Sequence, residues 1–354
     1  MRNWKLISIV AILSLLGGIT IYNSFKPRET VDYTELQASF AFKPNLAIAH
    51  GNKIPIEFNV LKGMKSVVMT FGDTVLNTWN NPKMNYKINI DTRFFEVGTY
   101  QLSIVATDID GNATTDTRGI QIVSDISPEP RSIAIVANFP HNTKSYTQGL
   151  EWNAGVLYEG TGQRGQSEVS SVNLTTGATL SRMGLDATYF GEGITVMGDK
   201  LFQITWQEQR AFVYNKNTMQ VINDFNYFGE GWGLCNDGKN IIMSDGTETI
   251  TFRDSSNFQP TRTIHVYDNV GPRNMLNELE YINGKIYANV WQQNFILVID
   301  PLTGKVLEQI DCDLAVIAGK STGDVLNGIA YNAATKKLYI TGKYWPKLFE
   351  VVVK

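Results

Sequence analysis

Histidine and cysteine are scarce in this chain, at three and two among 354 residues. His50, His141 and His265 are scattered without ligand spacing, which speaks against a histidine-held zinc ion. Cys235 and Cys312 stand far apart and make neither a CxxC knuckle nor a disulfide framework. They read as two buried thiols, with one bridge as the alternative in an oxidising compartment. Charge runs are missing as well. Charged residues are 18% of the chain and the formal net charge is -3, with no basic stripe or acidic tail. Nucleic acid is therefore not an expected partner.

Glycine and aromatics are plentiful, with 30 Gly, 15 Tyr, 17 Phe and 7 Trp, and hydrophobic residues reach 43%. Many short apolar runs punctuated by glycine point to an all-β chain with a sizeable core. The N-terminus differs from the rest. Arg2 and Lys5 precede an uncharged run from Leu6 to Tyr22. This predicts an N-terminal hydrophobic helix over residues 1–25, either a signal peptide or a membrane anchor through residues 6–22. The expected location is extracytoplasmic, periplasmic or secreted. No cysteine follows the run, so a lipidated cysteine is not the anchor.

Residues 40–124 read as a small immunoglobulin-like β-sandwich. Its strands are expected at Ile54–Val60, Ser66–Thr70, Tyr86–Ile90, Gly98–Ala106 and Thr117–Val123, with a turn over Asp108–Asn112. It carries no chemistry of its own. The prolines and charges of Ser124–Arg131 predict a linker.

From residue 131 to 354 the chain repeats. Gln148-Gly149-Leu150, Glu192-Gly193-Ile194, Trp232-Gly233-Leu234, Asn277-Glu278-Leu279 and Asn327-Gly328-Ile329 each open a strand, turn and strand. Their starts at 148, 192, 232, 277 and 327 lie 44, 40, 45 and 50 residues apart. A period of this size with about four strands per unit is the signature of a β-propeller, here five-bladed. The last unit ends after three strands, and the otherwise unpaired strand Ser132–Ala137 is expected to complete it.

Equivalent positions in successive blades form rings around a central channel. The unit starts give one ring: Gln148, Glu192, Trp232, Asn277 and Asn327. A matching position on the second strands gives another: Gly162, Trp206, Gly246, Trp291 and Lys343. One carboxylate, one lysine, three amides and three indoles at one mouth have the make-up of a small-molecule pocket. Glu192 is the one acid in either ring, which argues against a two-carboxylate glycosidase. No histidine enters the rings, which argues against a Ser-His-Asp hydrolase. One acid/base in an indole cage remains, with its pKa raised by desolvation and lowered by Lys343. Trp152 and Trp345 fall outside the rings and read as core.

Six segments in register then resemble the glutaminyl cyclases of plants and bacteria. They are Tyr146–Leu150, Tyr189–Gly193, Gly231–Leu234, Leu276–Tyr281, Val325–Ala330 and Thr341–Glu350. The resemblance covers residues 130 to 354 and leaves out the N-terminal region. It implies a metal-independent, cofactor-free enzyme that turns the N-terminal glutamine of peptides or proteins into pyroglutamate, releasing ammonia; a monomer is expected. The family's essential glutamate falls on Glu192, and its other pocket residues fall on Gln148, Trp206, Trp232, Asn277, Trp291 and Lys343. Tyr146 occupies a wall position where phenylalanine is usual. Glu192, Lys343 and Asn277 are thus the expected catalytic residues; Gln148, Tyr146, Trp206, Trp232, Trp291 and Asn327 are expected to hold substrate. The alternatives are a non-catalytic propeller that binds peptides or proteins, and a metal-dependent lactonase, which needs several inward carboxylates or histidines.

Overall fold

The computed structural model describes residues 36–354. The export or anchor segment expected over residues 1–25 lies outside the described residues. The described chain is all-β apart from one turn of 3-10 helix and one short α-helix. It forms two compact units. One takes the described residues up to Phe42 with Ile56–Lys87 and Leu102–Thr117; the other takes Lys43–Pro55, Ile88–Gln101 and Arg118–Lys354.

In the strand Lys53–Val60 every second residue is buried, as the alternation of IPIEFNV requires. In the first unit Phe58 stacks on Tyr86 at 4.7 Å and Trp79 leans on both, which gives that unit an aromatic core. The other expected strands are present as Met64–Phe71, Asn85–Asp91, Gly98–Asp108 and Ala113–Val123. Three were not legible: Ala38–Phe40, Leu46–Ala49 and Thr74–Asn80. The first two are very short, and Thr74–Asn80 is largely exposed, so neither length nor apolar alternation betrays them.

In the second unit the repeats become four-stranded antiparallel meanders. The first is Thr147–Asn153, Val156–Thr161, Glu168–Val172 and Thr179–Gly184. The second is Gly191–Met197, Lys200–Thr205, Arg210–Asn215 and Val221–Asn226; the third is Leu234–Asn236, Asn240–Ser244, Thr249–Asp254 and Pro260–His265. The fourth is Leu276–Ile282, Lys285–Val290, Phe295–Ile299 and Val306–Asp311. The last repeat supplies Leu326–Asn332, Lys337–Gly342 and Lys347–Val353, and Glu129–Pro140 pairs antiparallel along Lys347–Val353. The unpaired strand of the sequence therefore does complete the last repeat.

Two details depart from expectation. The segment Ser124–Arg131 is not all linker, because the strand begins at Glu129. Its first residues run parallel to Val306–Asp311, which joins the fourth and fifth meanders into one eight-stranded sheet. An open strand edge there outweighs the local preference of the prolines for irregular chain. A short helix, Asp313–Gly319, also follows the fourth meander and buries Ala315 and Gly319. Cys235 and Cys312 are buried free thiols, the first of the two readings open at the sequence level.

The innermost strands explain the glycine that follows four of the five unit starts, Asn277 being followed by Glu278. A Cβ on Gly149 would lie 2.4 Å from Ile194 N, and one on Gly193 would lie 2.4 Å from Leu234 N. One on Gly233 would lie 1.9 Å from Asn277 O. Only a residue without a side chain permits backbones to approach this closely. Glu278 Oε2 accepts from Ile329 N at 2.9 Å, and Asn327 Nδ2 donates to Thr147 O at 2.8 Å. Each inner strand thus touches the next, and the fifth touches the first. Buried glutamates reinforce these seams: Glu151 accepts from Val196 N, Glu280 from Tyr331 N, and Glu278 from both Leu150 N and Ile329 N.

Gly233→Ala is expected to destabilise the fold by about 3 kcal/mol, the upper range for overpacking, because its clash is with backbone that cannot swing aside. A denaturant titration that leaves the midpoint unchanged would remove this close approach from the account.

Candidate active site

Ten side chains line a cavity of about 260 Å³: Tyr146, Gln148, Gln163, Phe190, Glu192, Trp206, Trp232, Asn277, Trp291 and Lys343. Eight of the nine residues singled out in the sequence are among them. The ninth, Asn327, stands behind the wall. Its Nδ2 donates to Gln148 Oε1 at 3.2 Å as well as to Thr147 O. Its amide orients Gln148, and it is not among the residues that line the cavity. Gln148 in turn donates from Nε2 to Glu192 Oε1 at 2.9 Å. The amide chain from Asn327 through Gln148 therefore fixes one carboxylate oxygen of Glu192.

Glu192 is the one carboxylate among the lining residues. Loss of water around it pushes its pKa well above the usual carboxylate range; Lys343 opposes this, while Glu230 and Glu208 add to it. Lys343 is 2% exposed. Burial pulls its pKa down to about 8, against the attraction of Glu192 and Asp324. Its ammonium sits 4.4 Å from the centre of the Tyr146 ring, a cation–π contact that replaces part of its lost hydration. Burial likewise pushes Tyr146 up to about 12, so its phenol stays protonated. Asn277 is 2% exposed and its Oδ1 has no hydrogen-bond partner. An orphaned acceptor in a cavity wall is poised for a donor from a bound molecule.

The aromatic wall packs as two groups of rings. Phe190 meets Tyr146 edge-on at 6.0 Å and Trp206 at 5.7 Å, and Trp232 meets Trp291 edge-on at 5.8 Å. The two glycines of the second ring make room for it. A Cβ on Gly162 would lie 2.5 Å from the Phe190 ring, and one on Gly246 would lie 2.5 Å from the Trp232 indole. Trp345 and Trp152 are core, as expected: Trp345 is fully buried and Trp152 stacks on Tyr339.

Phe190 and Gln163 were not singled out in the sequence. Phe190 was within reach, since it precedes Glu192 by two residues just as Tyr146 precedes Gln148. Gln163 sits in a loop at positive φ, 85°, and no ring count would find it. Outside the cavity, His141 and Glu159 were also missed. Glu159 is held by His141 Nε2 at 2.9 Å, Thr147 Oγ1 at 2.7 Å and Ser145 Oγ at 3.1 Å, while His141 Nδ1 meets Trp345 O at 2.7 Å. The pair pins the segment that carries Tyr146 to the loop that follows Lys343. Its residues lie far apart in the sequence, with no motif to unite them.

A family model for glutamine cyclotransferase matches residues 106–353. A glutaminyl-peptide cyclotransferase of Arabidopsis thaliana is 39% identical over 236 residues, which is 65% of this chain and 74% of the plant protein. The crystal structure of Myxococcus xanthus glutaminyl cyclase superimposes with a TM-score of 0.61 at 34% identity, covering 64% of this chain and 99% of that one. With a model match across most of its length and a relative this similar, the chain belongs to the glutamine cyclotransferase family.

Proposed function

We propose that this protein closes the N-terminal glutamine of peptides and proteins to pyroglutamate in the cavity around Glu192, releasing ammonia. One observation carries this reading: a buried carboxylate of raised pKa stands in an aromatic cavity beside a buried lysine and an orphaned amide oxygen.

The reaction is intramolecular. The substrate's α-amino nitrogen attacks its own γ-carbonyl carbon, a C–N bond forms, and the carbonyl oxygen becomes an oxyanion. Glu192 takes the proton that the amine sheds and returns it to the γ-amide nitrogen. That C–N bond then breaks, ammonia leaves and the lactam carbonyl is restored. The protein has little to do beyond folding the side chain into a ring-closing pose, excluding water and moving one proton. Asn277 Oδ1 is suited to accept from the substrate amine or γ-amide. The indole N–H of Trp206 is already given to Glu230, whereas Trp291 makes no such bond among the described residues. Trp291 and the Lys343 ammonium are therefore the better candidates to face the oxyanion.

The same reading takes the five meanders of residues 131–354 as propeller blades around the cavity, supported by the cyclic succession of inner-strand contacts. It keeps residues 40–124 as an immunoglobulin-like sandwich. The uncharged run from Leu6 to Tyr22 supports a location outside the cytoplasm.

Incubation of the purified protein with a glutamine-initiated peptide should yield a product lighter by one ammonia. A peptide that binds and keeps its mass would favour a non-catalytic binding module instead.

A further inference from the structure

The residues two before each unit start form a third ring: Tyr146, Phe190, Glu230, Met275 and Val325. Four are aromatic or aliphatic. Backbone bonds of one type mark them as equivalent: Gly162 N, Trp206 N, Trp291 N and Lys343 N donate to the carbonyls of Tyr146, Phe190, Met275 and Val325. In the third repeat the position holds a carboxylate. Glu230 Oε2 accepts from Trp206 Nε1 at 2.7 Å and from Trp232 Nε1 at 3.0 Å, while Oε1 accepts from Gln207 Nε2 at 3.0 Å. The loop beneath it is fixed on both sides. Gly231 N donates to Trp206 O at 2.9 Å, and Trp232 N donates to Ser244 O at 3.0 Å.

We propose that Glu230 is a positioning residue for the cyclisation, whose one oxygen holds Trp206 and Trp232 as fixed walls of the cavity. The inference rests on the cyclase reading above. Bonds from neutral donors to a carboxylate are among the stronger kind, and a shared acceptor sets the two rings relative to each other. With both N–H groups turned to Glu230, Trp206 and Trp232 act on a bound glutamine as apolar surfaces and not as donors. That leaves the Trp291 indole and the Lys343 ammonium to face the carbonyl oxygen, with no competing donor from Trp206 or Trp232. Glu230 also acts on Glu192 through space, together with Glu208 and against Lys343; Tyr146 and Tyr227 are the other titratable groups that sense Glu192.

The test compares Glu230→Ala with Glu230→Gln in the full chain. Glutamine retains an oxygen for both indoles, and Gln207 can rotate to meet its new N–H. The alanine variant should lose about tenfold in kcat/KM, the scale of one hydrogen bond to a charged group. The glutamine variant should recover most of it, with the acid limb of kcat moved to lower pH because a repulsion on Glu192 is gone. Labelling the seven tryptophans with 15N gives a second readout that needs no turnover. Two indole N–H resonances should move in the alanine variant and stay near their parent positions in the glutamine variant. Equal activity losses in both variants, or an alanine variant with parent kinetics and unmoved resonances, would overturn the proposal. If the parent itself releases no ammonia, the cyclase reading fails, and the indole resonances still decide the clamp.

Discussion

Glu192→Gln lowers kcat by about 100-fold or more, the scale of losing a general acid/base, while the folded protein melts no lower than the parent. Both halves follow from the burial of the carboxylate. Its raised pKa makes it a strong base, and it must also give the proton back, which an amide cannot do. Folding is linked to the same proton. Because the folded pKa lies above the unfolded value of 4.5, the unfolded chain releases its proton first as pH rises. Stability therefore falls between those two values, and a glutamine that never ionises escapes that loss. The glutamine oxygen can still accept from Gln148 Nε2, so the amide chain behind the site is kept. Rates come from ammonia release and melting from a thermal scan. A variant with near-parent kcat would remove Glu192 from the proton path, and one that melts far lower would make it a structural carboxylate.

Lys343→Met should cost about tenfold or more in kcat at neutral pH, and part of that loss should return as pH is raised. Lys343 is the group that holds the Glu192 pKa down against burial. Without it Glu192 stays protonated to higher pH, and each unit of rise removes about nine-tenths of the ionised form at a given pH below the pKa. The parent should show the opposite behaviour on its alkaline side. Lys343 loses its proton near its pKa of about 8, and the rate should fall there as the ammonium disappears. In the methionine variant that limb should be missing. Parallel kcat profiles for parent and variant would show that Lys343 acts only by filling space above Tyr146.

The sequence yields the site more fully than it yields the N-terminal region, and the reason is repetition. Five units with equivalent positions turn a linear pattern into rings, so Gln148, Glu192, Trp232 and Asn277 can be placed together without coordinates. Repeat counting does not by itself place a side chain in the cavity lining. Asn327 occupies the same repeat position as Glu192, yet it turns its amide toward Thr147 and Gln148. Repeat counting also misses groups that serve the fold through long-range bonds. Glu159, Glu278 and Glu280 each bind backbone or side chains of distant segments, and nothing in their neighbours marks them as buried. The third ring is legible in the same way: counting back two residues from each unit start finds Phe190 and Glu230. Before residue 124 there is no repeat, and short or exposed strands such as Leu46–Ala49 and Thr74–Asn80 leave no periodic trace.

The pH dependence of kcat for a glutamine-initiated peptide, measured on the parent and on Glu192→Gln, tests the shared aromatic cavity most directly. A parent acid limb displaced above the usual carboxylate range, and absent from the variant, is the predicted result. A limb at an ordinary carboxylate pKa, or the same limb in both proteins, would mean that the proton travels by some other group.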